Sequence, residues 1–411
     1  MQTVLITGAA SGIGRDAARL FARMGWQCVL VDYNERALHE LGQGLPCPAT
    51  AAHVLRTIDL TDRKQIESLG VDTPALDAIL NNAGMSDASN TPLAEQTYAQ
   101  MGRLLALNLA APAAVVDACT HLLKPGARIV NVASGAGLHA IPWRGAYSPS
   151  KAGLIAQTLA LARARPEWCV TVLAPGFVRT ELVDGLIQAG RLKPEGAIGK
   201  IPLGRMAAPE EMAQALYFLA SSGAAPLSGQ ILALNGGSSV HGSSQPFAPA
   251  TLEPMPLDRP TQLEVCGGDE AAWQAVAQPL AEQPPAKQER YAACLDLSAL
   301  YGQSPSLLQS VHAAAVRFSA RYAQRASLTL LLPSRKVDAW QDAGDGAAAR
   351  MLVATLACEW GSRALRINAL EVPGDPDPES LHPLLRFVCG PAAQYLTGQT
   401  LACRGATPKD V

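Results

Sequence analysis

Residues 3–14 have the sequence Thr-Val-Leu-Ile-Thr-Gly-Ala-Ala-Ser-Gly-Ile-Gly, in which an apolar run leads directly into a glycine-rich turn. The run Thr3–Thr7 predicts a buried β-strand, and the periodic apolar residues after Gly12 predict a helix. Glycine suits the turn because a Cβ would obstruct its tight path and keep a phosphate away from the backbone N–H groups. The motif is weak alone, but its position between a strand and a helix indicates a site for a dinucleotide pyrophosphate.

The same alternation of short apolar runs and amphipathic segments continues over about the first 240 residues. The predicted strands are Thr3–Thr7, Gln27–Val31, Ala52–Ile58, Ala78–Leu80, Ala127–Val132, Cys169–Leu173 and Gln230–Leu234. Helical segments such as Gly12–Met24 and Ser150–Arg163 lie between them. This alternation predicts an α/β fold of βαβ units with a parallel, doubly wound sheet of the Rossmann type.

The composition sets limits on the class of protein. The 411 residues are 48% hydrophobic and 17% charged, which indicates a folded chain long enough for more than one domain. The net charge of −2 gives no reason to expect a nucleic-acid or membrane partner. The nine scattered cysteines contain no C-x-x-C pair, so we interpret them as reduced core thiols and expect no metal site. The first strand follows the N-terminus without a signal-peptide pattern, and no apolar run reaches about 18 residues, so we expect a cytoplasmic protein.

A change of composition divides the chain. From Gly236 to Pro260 the sequence is rich in Gly, Ser and Pro and lacks periodicity, which predicts a linker. We therefore expect a first domain over residues 1–242, a linker over 243–262 and a second domain over 263–411.

The second domain resembles part of the first. Residues 347–374 parallel 150–176, and residues 381–406 parallel 212–237, in the same order. This agreement favours an internal duplication over the alternative that all α/β segments look alike. The alignment places Gly344 at the position of Tyr147 and Ala348 at that of Lys151, and no glycine-rich phosphate turn precedes them. The prediction is a truncated second Rossmann-like domain without catalytic residues.

Asp32 ends the second predicted strand, eighteen positions after Gly14. A carboxylate there can accept hydrogen bonds from the hydroxyls of an adenosine ribose and repels a 2′-phosphate. The alternative is an ordinary turn residue after a strand. Because no basic residue neighbours Asp32, the sequence favours NAD(H) over NADP(H).

Tyr147 and Lys151 lie four residues apart at the start of a predicted helix and therefore on one face. A cationic Lys151 near the phenol would lower the pKa of Tyr147 and allow it to exchange a proton with an alcohol. Ser134, just after the strand Ala127–Val132, could hydrogen-bond the same substrate oxygen. Taken alone, such a Tyr–Lys pair is more often a surface pair, but its position after a nucleotide turn favours a catalytic role.

Taken together, these motifs resemble the short-chain dehydrogenase/reductase superfamily over residues 3–237. The resemblance rests on residues 7–14, Asn81-Asn82-Ala83-Gly84, Asn108, Ser134, Tyr147, Lys151 and Pro175-Gly176, which appear in family order. It implies that Tyr147 is the general acid/base, that Ser134 holds the substrate oxygen, that Lys151 binds the nicotinamide ribose, and that Asn108 holds a proton-relay water. It also implies a cofactor site formed by Gly8, Ser11, Gly12, Ile13, Gly14, Asp32, Asp59, Leu60, Asn82, Ala83, Gly84, Tyr147, Lys151, Pro175, Gly176, Val178 and Thr180.

The resulting hypothesis is an enzyme that transfers a hydride reversibly between NAD(H) and a secondary alcohol or ketone, with Tyr147 as acid/base. The alternative is a non-catalytic NAD-binding scaffold or sensor whose second domain binds a partner. We also expect helices at about 305–325 and 345–361 to cover the first-domain helices around 97–121 and 150–163. The chain would then contain an intrachain pseudo-dimer and assemble as a homodimer.

Overall fold

A computed structural model describes residues 1–48, 51–87, 91–190, 192–242, 245–268, 273, 290–302, 304, 306–334, 343–374 and 376–404. The chain forms two compact units. The first unit comprises residues 1–192, 208–222 and 228–232, and the second comprises residues 193–207, 223–227 and 233–411. The predicted boundaries at 242 and 262 differ from this interleaved division and remain a prediction.

The first unit contains the predicted sheet. Among its described residues, seven parallel strands lie in the order β3-β2-β1-β4-β5-β6-β7. Their bounds are β1 Thr3–Thr7, β2 Gln27–Asp32, β3 Val54–Thr57, β4 Leu76–Asn81, β5 Leu123–Val132, β6 Cys169–Leu173 and β7 Ile231–Leu232. This order, with a reversal between β1 and β4, confirms the Rossmann-type fold.

Helices flank the sheet. Those of the first unit are α1 Gly12–Arg23, α2 Glu35–Gly44, α3 Arg63–Glu67, α4 Tyr98–Leu105, α5 Ala111–Cys119, α6 Tyr147–Ala164, α7 Glu181–Gln188 and α9 Pro209–Leu219, whereas α8 Pro194–Ile198 belongs to the second unit. Within the described residues, one helical stretch, Tyr98–Leu122, is apolar and long enough to cross a membrane by length and composition. Its residues Ala111, Val115 and Cys119 pack into the core with Leu5 and Ile79, as in the core helix of a globular domain.

A chain of buried polar side chains connects two strands to α6. Asn81 Nδ2 on β4 donates to Asn131 Oδ1 on β5 at 2.8 Å, and Asn131 Nδ2 donates to Thr158 Oγ1 on α6 at 2.8 Å. Thr158 in turn donates to the Leu154 carbonyl. Buried polar groups must be paired with one another, so this chain fixes α6 on the sheet at one register.

The second unit contains a second parallel sheet, as predicted. Its described residues form five strands in the order β12-β11-β10-β9-β8. The bounds are β8 Thr261–Cys266, β9 Tyr291–Asp296, β10 Ala326–Pro333, β11 Leu365–Val372 and β12 Thr400–Ala402. The helices are α10 Ser298–Tyr301, α11 Leu307–Arg321, α12 Ala343–Trp360 and α13 Pro378–Cys389.

The topology of the second sheet repeats that of β1 and β4–β7, without counterparts of β2 and β3. Helix α12 connects β10 to β11 as α6 connects β5 to β6, and both helices have 18 residues. This recurrence supports the duplication, which stays a prediction. One detail differs from the expectation that no glycine turn remains: Gly267 and Gly268 follow β8, and Gly267 has a φ of +79°, comparable with +64° at Gly8 after β1.

A buried arginine stabilises the end of the second sheet. Arg366 on β11 is 1% exposed, and its guanidinium donates to the Tyr291 hydroxyl. It also donates to backbone carbonyls of the α13 end and the segment after it, which belong to Val388, Cys389, Gly390, Ala393 and Leu396. Its acceptors among the described residues are therefore neutral oxygens. Sequence reasoning did not identify this residue.

The predicted linker contains no helix or strand over its described residues 245–260, whereas β8 begins at Thr261, two residues before the predicted domain boundary. Several of its residues are nevertheless fixed within the second unit. Ala250 N donates to Gly204 O at 2.8 Å, and Met255 exchanges two hydrogen bonds with the Gln394 side chain. The predicted pseudo-dimer and homodimer remain predictions.

Candidate active site

A cleft of about 620 Å³ lies in the first unit at the carboxyl ends of its strands. Nearly all of the residues predicted from the sequence line it. They are Gly8, Ser11, Gly12, Ile13, Asp32, Asp59, Leu60, Asn82, Ala83, Gly84, Ser134, Tyr147, Lys151, Pro175, Gly176, Val178 and Thr180. Gly14 and Asn108 do not line the cleft. They contact residues that do, namely Gly8 and Met85.

The glycine turn is built as the sequence predicts. Gly8 and Gly12 have φ values of +64° and +49°, a region that is costly for residues with a Cβ. A Cβ on Gly14 would lie 2.0 Å from the Gly8 carbonyl oxygen, so only glycine lets α1 begin this close to the turn. The first N–H groups of α1 therefore face the cleft, where they can bind an anion.

A carboxylate that sequence reasoning missed lies at this helix N-terminus. Glu181, the first residue of α7, accepts a hydrogen bond from Gly12 N at 3.1 Å and forms an ion pair with Arg15. The residue directly follows Thr180, whose hydroxyl caps α7 by accepting from Val183 N. The contact between Glu181 and the turn is tertiary, and no local pattern in the sequence indicates it.

Asp32 and Asp59 have rigid carboxylates at the far end of the cleft. The oxygens of Asp32 accept from Ala10 N at 2.9 Å and from Asn34 N at 3.0 Å. These bonds leave lone pairs that face the cleft and can accept from ligand hydroxyls. Asp59 accepts from the backbone N–H and the hydroxyl of Thr61, and these bonds hold the pKa of Asp59 below its ordinary value.

Asn82 and Thr7 join the glycine turn to the end of β4. Asn82 Nδ2 donates to the carbonyls of Thr7 and Gly8, while the Thr7 hydroxyl accepts from Asn82 N and Ala83 N, each at 3.0 Å. Because these bonds cross between two strand ends, they fix the turn against the wall of the cleft. Asn82 thus has a positioning role toward the turn, in addition to lining the cleft.

Tyr147 begins α6 and faces Ser134 across the cleft. The expectation that Lys151 lowers the pKa of the Tyr147 phenol is wrong: burial raises this pKa above its ordinary value, and the opposing effects come from a hydrogen bond with Ser134 and from the charge of Arg144. Ser134 is fixed by accepting from Ala136 N at 3.1 Å. Arg144, three residues before the tyrosine, was not identified from the sequence; its guanidinium also donates to Ser86 Oγ at 3.4 Å.

Lys151 lies one turn further along α6 and is 4% exposed. Burial lowers the pKa of its ammonium group to about 8. Its Nζ donates to the Val132 carbonyl at 2.9 Å, and a Cβ on Gly84 would come within 3.2 Å of that nitrogen. Glycine at position 84 therefore keeps the space over the ammonium group open.

Asn108 lies in a short π-helix, Ala106–Ala110, between α4 and α5. Its carboxamide accepts from Met85 N at 2.9 Å and donates to Met85 O at 2.8 Å and to Ser150 Oγ at 3.1 Å. The side chain therefore holds the segment after Gly84 against the start of α6. π-Turns of this kind frequently occur at functional sites.

These features fit a dinucleotide cofactor. The glycine turn leaves room that a Cβ would fill, and the Asp32 carboxylate can accept from ribose hydroxyls. The N–H groups at the start of α1 can bind a pyrophosphate, although that of Gly12 must first lose its bond to Glu181. Pro175 is fixed by accepting from Gly135 N at 2.8 Å, and Val178 and Thr180 line the cleft beyond it. The opposite end of the cleft brings together Ser134, Tyr147 and Lys151.

Known proteins are similar to this chain over its first part. A family model described as enoyl-(acyl carrier protein) reductase matches residues 8–239. A Sinorhizobium fredii protein named as an uncharacterized short-chain type dehydrogenase/reductase is 38% identical over 245 residues, which are 57% of this chain and 43% of that relative. The match thus leaves more than half of that relative uncovered. A 3-oxoacyl-[acyl-carrier-protein] reductase of Rickettsia prowazekii is 34% identical over 241 residues, which are 57% of this chain and 96% of the relative.

A solved structure gives the same result. The crystal structure of a short-chain dehydrogenase/reductase from Brucella melitensis, titled a glucose/ribitol dehydrogenase, superposes with a TM-score of 0.52 at 26% identity. The superposition covers 58% of this chain and 96% of that structure. The chain belongs to the short-chain dehydrogenase/reductase superfamily and is an oxidoreductase of that type.

Proposed function

We propose that the first unit transfers a hydride reversibly between NAD(H) and a secondary alcohol or ketone, with Tyr147 as the general acid/base. The observation that carries the proposal is the meeting of Ser134, Tyr147 and Lys151 in the same cleft as the glycine turn and Asp32. The Rickettsia relative is named as a 3-oxoacyl reductase, and a 3-oxo group is a ketone.

The residues suggest a division of roles. When bound, NAD(H) supplies or accepts the hydride. In the direction of reduction, the Tyr147 hydroxyl gives its proton to the carbonyl oxygen of the substrate, and its raised pKa keeps that proton in place at neutral pH. Ser134 holds the same oxygen by a hydrogen bond. Arg144, whose charge acts on Tyr147, and Lys151, one helical turn further along α6, supply positive charge for the phenolate that remains.

The test of this activity is a screen of ketones, including 3-oxoacyl thioesters, and secondary alcohols, followed by NADH absorbance. Tyr147→Phe keeps the ring and removes the proton, so turnover on any active substrate should fall by roughly 10²–10⁴-fold. The affinity for NADH should change little. If Tyr147→Phe retained turnover, the assigned mechanism would be wrong; if NADH bound without turnover on any substrate, the scaffold hypothesis would be favoured.

The proposed preference for NAD(H) depends on Asp32. Its carboxylate is held in place by Ala10 N and Asn34 N, so it cannot easily turn away from a 2′-phosphate. We expect wild-type protein to bind NADH much more tightly than NADPH, and Asp32→Ala to narrow the difference. Calorimetric titration with both cofactors measures the difference in affinity. Asp62→Ala, which removes the exposed N-cap carboxylate of α3, is the control and should leave that difference unchanged. Equal wild-type affinities would contradict the assignment.

A further inference from the structure

Two cysteines of the second unit lie on neighbouring strands within reach of each other. Cys266 is the last residue of β8, the edge strand, and Cys294 lies on the adjacent β9. In the parallel register Glu264 pairs with Cys294 and Cys266 with Asp296, so the two thiols are diagonal neighbours on one face of the sheet. Their sulfur atoms are 3.2 Å apart, and both are free thiols.

Little movement is needed to bring the two sulfur atoms to bonding distance. A disulfide has a sulfur–sulfur bond of about 2.0 Å, so the two sulfurs need to approach by roughly 1 Å. Side-chain rotation can supply such a shift, and among the described strands β8 pairs only with β9, which leaves it freer to adjust than a central strand. Gly267, with a φ of +79°, follows Cys266 directly and allows a backbone path that other residues rarely adopt.

The two thiols differ in accessibility and charge. Cys266 is half-buried, whereas Cys294 is buried and belongs to the hydrophobic core of the second unit. The hydrogen bond from Cys294 lowers the pKa of the Cys266 thiol, and the same bond, together with burial, raises the pKa of Cys294. Burial and the carboxylates of Asp296 and Glu264 act in the opposite direction on Cys266, and Arg317, which bonds to Asp296 at 2.8 Å, offsets part of their charge, but the hydrogen bond from Cys294 is the largest effect. Cys266 is therefore the thiol that ionises first and meets a reagent first.

We propose that Cys266 and Cys294 form a redox-active dithiol, which small-molecule disulfides convert to an intrachain disulfide. The Cys266 thiolate attacks one sulfur of the reagent, forms a mixed disulfide and releases one thiolate. The Cys294 thiol then loses its proton to solvent, and its thiolate attacks the Cys266 sulfur and expels the second thiolate. In total the protein loses two electrons and two protons, and the reagent becomes two thiols.

This inference is independent of the proposed function, because it rests on second-unit residues alone. The bond would attach edge strand β8 to β9 and close the chain between positions 266 and 294. Cross-linking such a loop reduces the freedom of the unfolded chain, so the oxidised protein should melt at a higher temperature than the reduced protein.

The experiment treats the reduced full chain with oxidised glutathione under native conditions, followed by mass spectrometry. We expect a peptide that links Cys266 to Cys294, loss of two hydrogens without an adduct on either residue, and reversal by dithiothreitol. Cys47, an exposed cysteine, provides the internal control, because it should form a stable glutathione adduct. In Cys294→Ala the adduct should instead persist on Cys266.

Two outcomes would overturn the proposal. One is a stable glutathione adduct on Cys266 of the wild-type protein without a link to Cys294. The other is a pair that stays reduced while Cys47 is fully modified, which would show the contact to be only a thiol–thiol hydrogen bond. Both can be read from the wild-type protein, so the result does not depend on the folding of a variant.

Discussion

Lys151 is the residue whose ionisation should set the upper pH limit of the site. Its pKa is lowered to about 8 by burial, and the protonated form is the one that donates hydrogen bonds and stabilises a phenolate. In the direction of ketone reduction, kcat/KM should therefore be at its maximum below the pKa of Lys151 and decline as the pH rises through about 8. A pH profile of initial rates measures the effect.

Arginine at this position gives a matched comparison. The guanidinium remains charged throughout this pH range, so Lys151→Arg should move the decline of kcat/KM to higher pH. Crowding in the buried site can lower the overall rate without changing that shift. A wild-type profile that stays flat from pH 7 to about 9.5, with chemistry as the slow step, would show that Lys151 does not control the reaction.

At the scale of elements, the polar chain Asn81–Asn131–Thr158 should control the position of α6. Asn131→Ala removes one hydrogen bond each from the Asn81 amide and the Thr158 hydroxyl, which keep their bonds to the carbonyls of Pro112 and Leu154, so the cost should be about 1 kcal/mol for each bond lost. Because α6 carries Tyr147 and Lys151, kcat should fall together with the free energy of unfolding. Denaturant titration and steady-state kinetics measure the two effects.

A neighbouring strand offers the control. Thr171 on β6 is equally buried, but its hydroxyl has no hydrogen-bond partner within the described part of the chain. Thr171→Val replaces that hydroxyl with a methyl group of similar size, so stability should stay the same or rise. If Asn131→Ala were as mild as Thr171→Val, the polar chain would not be what holds α6.

The elements that sequence predicted well are those with local signals. Strands β1 and β6 have the predicted bounds, because each is a short, fully buried and mostly apolar run with Gly or Pro-Gly within two residues of its end. Most positions that line the cleft could also be predicted, because they follow a strand end or form part of the glycine turn, while Tyr147 and Lys151 were predicted from their spacing on one helix. The carboxyl ends of parallel strands lie at the same edge of a sheet. A correct prediction of the sheet therefore also predicts that the residues after these strands are close in space.

The features that were missed depend on contacts between distant residues. The bond between Glu181 and Gly12 joins positions far apart in sequence, and neither residue is unusual in its local context. Cys266 and Cys294 were interpreted as core thiols, since only the pairing of β8 with β9 places their sulfurs in contact. Arg366 lies in an apolar strand, where an arginine gives no indication of the carbonyls that it will meet.

At the scale of the whole molecule, truncation after Gly242 should destabilise the part that remains. Segments 193–207 and 233–242 belong to the second unit, where Gly236 N donates to Tyr395 O at 2.9 Å and the Tyr395 hydroxyl donates to Arg205 O at 2.9 Å. A fragment of residues 1–242 loses Tyr395 and exposes the apolar surface that packed there. It should melt at a lower temperature and self-associate or aggregate.

Thermal melting and size-exclusion chromatography of the fragment and the full chain make the comparison. Tyr395→Phe in the full chain removes only the hydrogen bond to Arg205 and should lower the free energy of unfolding by about 1 kcal/mol. This variant shows how much of the effect of truncation comes from that bond and how much from loss of the packed surface. A fragment that is a stable, fully active monomer with an unchanged melting temperature would show that the second unit does not support these segments. A partner-binding role for residues 263–411 would then be favoured.

The Arg366 guanidinium also constrains how this chain can change over evolutionary time. The guanidinium donates to one side-chain oxygen, the Tyr291 hydroxyl, and to backbone carbonyls at the end of α13 and in the segment after it. An apolar replacement would leave those oxygens without a donor, and lysine could reach only some of them. Position 366 therefore tolerates few single substitutions. If the second unit arose by the predicted duplication, the positions that correspond to Tyr147 and Lys151 are free to change, whereas position 366 is not.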